Sequence, residues 1–164
     1  RGAADRMTLV VVGIGQSFRG DDVVGLEAVR AWQKSPGSAA ALPDVRVAFT
    51  EAPGMELASL LDGAEAALIV DAVQSGAAPG SVHRLDEDQI ALPANGYGTL
   101  HGWGVPEALR MVRLLNPDSK SLSVRIVAIE SASLDAGREL SEPLRKALPE
   151  AVRAIEQEVR KLLG

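Results

Sequence analysis

Residues 8–32 read TLVVVGIGQSFRGDDVVGLEAVRAW, and this stretch decides the fold. Residues 9–12 form a continuous apolar run of strand length, which is typical of a strand buried on both faces of a parallel sheet. Gly13 and Gly15 then allow a tight turn. Four apolar residues follow at helical spacing: Val23, Leu26, Val29 and Trp32. The sequence therefore predicts a strand, a glycine turn and a helix.

Two aspartates, Asp21 and Asp22, lie between the glycine turn and the helix. Aspartate is a favoured N-cap residue and its charge is favourable at a helix N-terminus, so one interpretation is that the pair only caps this helix. A cap needs one aspartate, and successive helical residues point about 100° apart, so the second needs another role. In open α/β sheets, ligands bind at the carboxyl ends of the strands, where this turn is expected. Both interpretations stay open from these residues alone.

The same turn is a poor phosphate site, although a Gly-x-Gly after a strand resembles one. The dinucleotide fingerprint needs a third glycine at position 18, which is Phe18. Two carboxylates at the start of a helix would also repel a pyrophosphate. The pattern favours a cation over an anion as the bound group.

The composition limits the class of protein. The 164 residues fit one domain, spanning residues 1–164 with residues 1–6 as a flexible N-terminal extension, and 46% of them are hydrophobic. A formal net charge of −5 is not the electrostatic signature of a nucleic-acid-binding protein. The absence of cysteine excludes disulfides and thiolate metal sites. No apolar run is long enough to span a membrane and residues 1–6 lack the apolar segment of a secretory signal, so we expect a cytoplasmic protein. We also expect a monomer.

The rest of the chain alternates predicted strands with predicted helices. AALIVDAV at residues 66–73 and LSVRIVAI at residues 122–129 indicate buried strands, and the alternation at residues 45–49 indicates an edge strand. This order predicts an α/β fold, a three-layer sandwich with a twisted, mostly parallel sheet of about five strands and helices on both faces. The other predicted elements are helices at residues 54–61 and 105–115, a long helix from Ser141 broken by Pro149, a weak strand at residues 81–85 and a long loop at residues 86–100.

Asp71 is the one charge in the strand at residues 66–73, near its carboxyl end. A buried carboxylate is costly unless it is paired, hydrogen-bonded or bound to a metal. Parallel connections bring the carboxyl ends of strands to one edge, so we expect Asp71 near Asp21 and Asp22. The alternative is that Asp71 faces a loop and bonds local backbone.

His101 is the third candidate ligand, because it lies just before the helix predicted from residue 105. A helix N-terminus keeps an imidazole neutral and able to bind metal. A lone histidine is more often structural, and we place His83, inside the weak strand, in that class. Two carboxylates and one imidazole without sulfur suit a borderline divalent ion such as nickel or zinc and leave coordination positions open.

The motif GIGQSFRGDDVVGLEAV at residues 13–29 resembles the opening of the hydrogenase maturation endopeptidases, which have Gly-x-Gly-Asn, then Asp-Asp or Asp-Glu, two residues and a glycine. The resemblance continues, in the family's order, through nearly the whole chain. The segments that carry it are PGMELASLL, LIVDAV, APGSV, LHGWGVPEAL and IESASLDAGRELSEPLRKAL.

This resemblance implies an endopeptidase that removes the C-terminal extension of a nickel-iron hydrogenase large-subunit precursor after nickel insertion. It places the family's metal-contacting positions on Asp22, Asp71 and His101, with Asp22 and Asp71 also as candidate catalytic residues. The nickel would come from the precursor, which is the expected partner, and no organic cofactor is expected.

Two residues depart from the family pattern, Gln16 in place of asparagine and Val23 in place of a common glycine. The three ligand positions are kept. Two other functions remain open on the residues alone. One is a metal-dependent binding or chaperone-like module that holds the same precursor without cutting it, and the other is a small-molecule enzyme with the same architecture, because fold does not imply function.

Overall fold

The computed structural model describes residues 7–17, 20–90, 98–99, 105–117, 121–132 and 139–164. Short 3₁₀ turns cover Gly20–Val23 and Ala39–Ala41. The strands are β1 (Leu9–Ile14), β2 (Val45–Thr50), β3 (Ala66–Gln74), β4 (Val82–Asp86), β5 (Gly98–Thr99) and β6 (Ser123–Glu130). The helices are α1 (Val24–Lys34), α2 (Pro53–Leu60), α3 (Glu87–Ile90), α4 (Val105–Leu115) and α5 (Glu142–Leu163).

The strands form one sheet with the order β2-β1-β3-β6-β4, and the two-residue β5 pairs with the end of β3. The first four strands in this order run parallel, with Leu9 opposite both Val45 and Ala66, and with Ala66 opposite Ser123. Strand β4 is antiparallel to β6. The predicted mostly parallel sheet is confirmed, and β2 lies at its edge as its alternating pattern indicates.

Helices cover both faces of the sheet, which confirms the predicted three layers. Alternate strand residues such as Leu9 and Leu68 pack on one face with α1 and α5, whereas Val10 and Ile69 pack on the other face with α2 and α4. This alternation follows from the two-residue period of a strand. Among the described elements, no helix is long and apolar enough to cross a membrane.

Two predicted elements differ from the structure. Helix α5 continues through Pro149 instead of breaking there. Proline removes one helical hydrogen bond, but buried residues on both sides of it, Leu144 and Ile155 among them, pack against the same core and keep the helix in one piece. The loop predicted at residues 86–100 contains the single-turn helix α3 and strand β5, which are too short to give a periodic sequence signal.

Candidate functional site

Glycines bring the β1–α1 turn directly against the carboxyl edge of the sheet. A Cβ atom on Gly15 would lie 2.4 Å from the carbonyl oxygen of Asp22, and a Cβ atom on Gly25 would lie 2.1 Å from that of Ile14 and 2.5 Å from that of Val70. Real Cβ atoms do not approach backbone oxygens so closely. Helix α1 therefore starts across the ends of β1 and β3, and the preceding 3₁₀ turn, which carries both aspartates, contacts β3.

Asp21 is buried, with 1% of its surface exposed, and it accepts hydrogen bonds from two distant segments. Its Oδ1 atom accepts from the backbone N–H of Ser141 at 2.8 Å. Its Oδ2 atom accepts from the Ser141 hydroxyl at 2.9 Å and from the backbone N–H of Ala132 at 2.8 Å. The Asp21 carboxylate therefore joins the β1–α1 turn to the segment after β6 and to the start of α5.

The interpretation of the aspartate pair as a cap for α1 is wrong. The N-cap of α1 is Val23, and both aspartates lie in the 3₁₀ turn before it. Asp21 instead binds Ser141, which is the N-cap residue of α5. A carboxylate at this position is favourable because the N-terminus of a helix carries partial positive charge. Among the described residues, Asp21 therefore contacts the start of a helix 120 residues further along the chain.

Asp22 and Asp71 are both buried at the carboxyl edge of the sheet, each with 2% of its surface exposed. Asp71 lies in β3 opposite Ala128 of β6. Its Oδ1 atom accepts from the backbone N–H of Ala72 at 2.8 Å. The other described residues that line the small cavity beside Asp71 are all apolar, namely Ala72, Val73, Leu85, Ile90, Val105, Ile126 and Ala128. The structure thus brings two sequence-distant carboxylates to one edge, as predicted.

His101 lies outside the described residues. The described residues on either side of it, Thr99 and Val105, both lie beside the carboxyl end of β3. Thr99 pairs with Val73, and Val105 lines the same cavity as Asp71. Within the described ranges, no group of three or more metal-ligating side chains is present.

The neighbouring end of β2 stabilises the same turn. The backbone N–H of Ser17 donates to Oε1 of Glu51 at 2.8 Å, and the backbone N–H of Gly15 donates to the carbonyl oxygen of Thr50 at 3.2 Å. The hydrogen bond from Ser17 lowers the pKa of Glu51 below its usual 4.5. The β1–α1 turn is therefore bonded to β2 as well as to α5.

Another buried carboxylate, Glu130, organises the turn after β3. It accepts from the backbone N–H and the hydroxyl of Ser75 at 2.8 and 2.7 Å, and from the backbone N–H of Gly76 at 3.1 Å. The Nε2 atom of His83 lies 3.4 Å from Glu130. Glu130 follows the strand predicted at residues 122–129, but the sequence gave no sign of this role because its partners lie about 50 residues away.

A family model described as hydrogenase maturation protease matches residues 33–158, about three quarters of the chain. The chain belongs to the hydrogenase maturation protease family. The matched residues include Asp71 and His101 and begin after Asp22. The sequence-based identification of the family and of the enzyme class, an endopeptidase, is confirmed. No curated protein sequence matches the chain at a significant level.

Solved structures of maturation proteases share the fold. The [NiFe] hydrogenase maturation protease HybD from Thermococcus kodakarensis has 23% identity and a TM-score of 0.72, and the match covers 92% of this chain and 98% of that one. The hydrogenase maturating endopeptidase HybD from E. coli has 20% identity and a TM-score of 0.75, with 94% and 93% covered. The maturation protease HycI from T. kodakarensis has 20% identity and a TM-score of 0.64, with the same coverage.

Proposed function

We propose that this protease removes the C-terminal extension of a nickel-iron hydrogenase large-subunit precursor once nickel has been inserted, and that it recognises the metal through Asp22, Asp71 and His101. One observation carries the proposal. Asp22 and Asp71 come from different elements, and both are buried at the same edge of the sheet. Burying two carboxylates at the same edge of the sheet costs free energy unless a cation or hydrogen-bond donors compensate for it.

The position of His101 in the chain supports its inclusion. It follows Thr99 by two residues, and Thr99 pairs with β3 two residues beyond Asp71. Because β5 is antiparallel to β3, the step from Gly98 to Thr99 runs toward Asp71 along β3. Four residues after His101, Val105 lies beside Asp71 in the same cavity. The described residues that precede and follow His101 in the sequence therefore both contact the part of the fold that carries Asp71.

In this proposal the nickel belongs to the substrate. Two carboxylate oxygens and one imidazole nitrogen suit a borderline divalent ion and leave positions for ligands from the precursor. Shared coordination would hold the scissile bond at the edge of the sheet, which is a proximity effect, and a metal can polarise a carbonyl oxygen. Cleavage would then wait for correct metal loading. No organic cofactor takes part.

Asp22 and Asp71 are also the proposed catalytic residues. Hydrolysis adds water to the peptide carbonyl carbon, breaks the C–N bond and delivers a proton to the leaving amine. A carboxylate at the site can accept the proton of the attacking water and return it to that amine.

Amide and alanine variants test the assignment. We expect Asp22→Asn, Asp71→Asn and His101→Ala to keep the circular dichroism spectrum of the parent protein and to release the tail of nickel-loaded precursor at least about 100-fold more slowly, since each removes a group that positions the reacting atoms. Glu56→Gln, at an exposed carboxylate of α2, is the matched control and should cleave normally. Normal cleavage by both Asp71→Asn and His101→Ala would contradict the proposal.

The same assay separates cleavage from binding. If the parent protein binds nickel-loaded precursor but never releases the tail, the chain is a binding module for that precursor and the three residues form a docking site. Co-elution of the two proteins on a sizing column, followed by mass measurement of the bound precursor, distinguishes these results.

A further inference from the structure

The sequence offers two adjacent aspartates, but the structure gives them different surroundings. Asp21 holds the three donors described above, from Ala132 and from Ser141, at 2.8–2.9 Å. These hydrogen bonds join three parts of the chain that meet at the carboxyl edge of the sheet. They are the 3₁₀ turn before α1, the segment after β6 and the first residue before α5.

The chemistry of these hydrogen bonds requires a carboxylate. Both oxygens of Asp21 act as acceptors, toward two backbone N–H groups and one hydroxyl. An asparagine has one acceptor oxygen and an NH₂ group, so one of its ends would point a donor at another donor. Hydrogen bonds to a charged acceptor are also roughly twice as strong as neutral ones. Replacing Asp21 with asparagine therefore breaks at least one of the three hydrogen bonds, with little change in side-chain volume.

We propose that Asp21 is a positioning residue for the cleavage reaction: through these hydrogen bonds it fixes the turn that carries Asp22, and it does not bind nickel itself. This inference rests on the proposed function of Asp22. The two residues share one peptide unit, so a shift of the Asp21 anchor moves the Asp22 carboxylate with it. The close approach of the Asp22 backbone to Gly15 leaves little room for the turn to adjust in any other way.

Ser141, at the other end of the contact, is held in place by helix α5. Ser141 starts the 22-residue helix α5, whose buried face packs against the sheet. That packing fixes Ser141 independently of Asp21, because Leu144 and Ala151 are fully buried in the same core. Helix α5 therefore serves as the rigid support, and the aspartate turn is the part that moves when the contact is lost.

The test compares Asp21→Asn with Ser141→Ala, which removes the hydroxyl but keeps both backbone donors. Glu27→Gln, at a partly exposed carboxylate of α1 that pairs with Arg30, is the control for loss of one charge. Single-turnover release of the tail from nickel-loaded precursor gives the catalytic rate. Amide hydrogen exchange at Ala132 and Ser141, followed by NMR, reports the contact itself without any substrate.

We expect Asp21→Asn to raise the exchange rates of these two amides by about tenfold or more and to lower the catalytic rate on the order of 100-fold, because displacing a reacting group by about 1 Å has that effect. The binding of nickel-loaded precursor should change much less than the rate, since Asp21 contributes no ligand. Ser141→Ala should have a smaller effect, and in the Asp21→Asn background it should have little further effect, as expected for residues acting through one contact. Asp21→Glu should restore part of the rate, because it keeps the charge.

Three results would overturn the inference. One is an unchanged catalytic rate in folded Asp21→Asn at a temperature well below its unfolding midpoint, which would leave Asp21 a purely structural residue. Another is a loss of precursor binding as large as that in Asp71→Asn, which would make Asp21 a ligand. The third is unchanged amide exchange. If the parent protein cleaves no precursor at all, the proposed function fails, and the exchange rates still decide whether Asp21 holds the turn.

Discussion

Replacing Gly25 with alanine tests how closely α1 crosses the sheet. Helix propensity alone favours alanine over glycine in a helix by about 1 kcal/mol, so local reasoning expects stabilisation. The structure predicts the opposite. The new methyl group would lie 2.1 Å from the carbonyl oxygen of Ile14 and 2.5 Å from that of Val70, whereas real Cβ atoms stay beyond 3.0 Å. Both obstacles are backbone atoms of buried strands, so α1 itself must move outward.

Overpacking of this kind costs about 3 kcal/mol. After subtracting the gain of about 1 kcal/mol in helix propensity, the free energy of unfolding should fall by about 2 kcal/mol. For a domain of this size the unfolding midpoint should drop by about 4–8 °C. The movement also carries the aspartate turn away from β3, so tail release from nickel-loaded precursor should slow.

Urea and thermal unfolding followed by circular dichroism measure the change. Gly63→Ala is the control, because Gly63 has a φ of 72° and no atom of the described residues lies within 4 Å of the added methyl group. It should lose about 1 kcal/mol from backbone conformation alone and leave cleavage unchanged. A Gly25→Ala protein at least as stable as the parent would refute the steric argument.

Two further predictions concern carboxylates of α5, the half-buried Glu156 and the buried Glu158. Trp32→Phe removes the hydrogen bond of 2.6 Å from Nε1 to Glu156, so the free energy of unfolding in urea should fall by about 1.5–3 kcal/mol, and a loss below about 0.5 kcal/mol would contradict this. Burial raises the pKa of Glu158. The hydrogen bonds and positive charges of Arg125 and Lys161 lower this pKa by more than burial raises it, so it lies below its usual 4.5. A lowered pKa in the folded state stabilises the fold above pH 4.5 and stops doing so as the pH falls through the folded value. Glu158→Gln should therefore flatten the loss of stability below pH 4.5, whereas Glu142→Gln, at an exposed position, should not.

Most of the fold could be predicted from sequence because its signals are local. The apolar runs of β1, β3 and β6 and the helical spacing of α1, α4 and α5 each lie within one element. The position of Asp71 could also be predicted, because a residue near the carboxyl end of a strand in a parallel sheet lies where ligands bind. Elements of two to four residues, such as β5 and α3, carry no periodic pattern and could not be predicted.

The role of Asp21 could not be predicted, for a different physical reason. Its partner Ser141 is 120 residues away, and a hydrogen bond between them leaves no trace in local composition. The sequence suggested a cap only for α1, and that interpretation, which was left open beside a ligand role, is wrong. The continuity of α5 through Pro149 was missed for a related reason, because the packing that maintains it comes from the sheet.

The most direct test of the proposed function is the intact mass of a hydrogenase large-subunit precursor after incubation with this protein, with nickel loaded and without it. We predict that the C-terminal tail is lost only from the nickel-loaded precursor, because Asp22, Asp71 and His101 engage the substrate through its metal. Equal cleavage of both forms would contradict recognition through nickel, and cleavage of neither would contradict the proposed reaction.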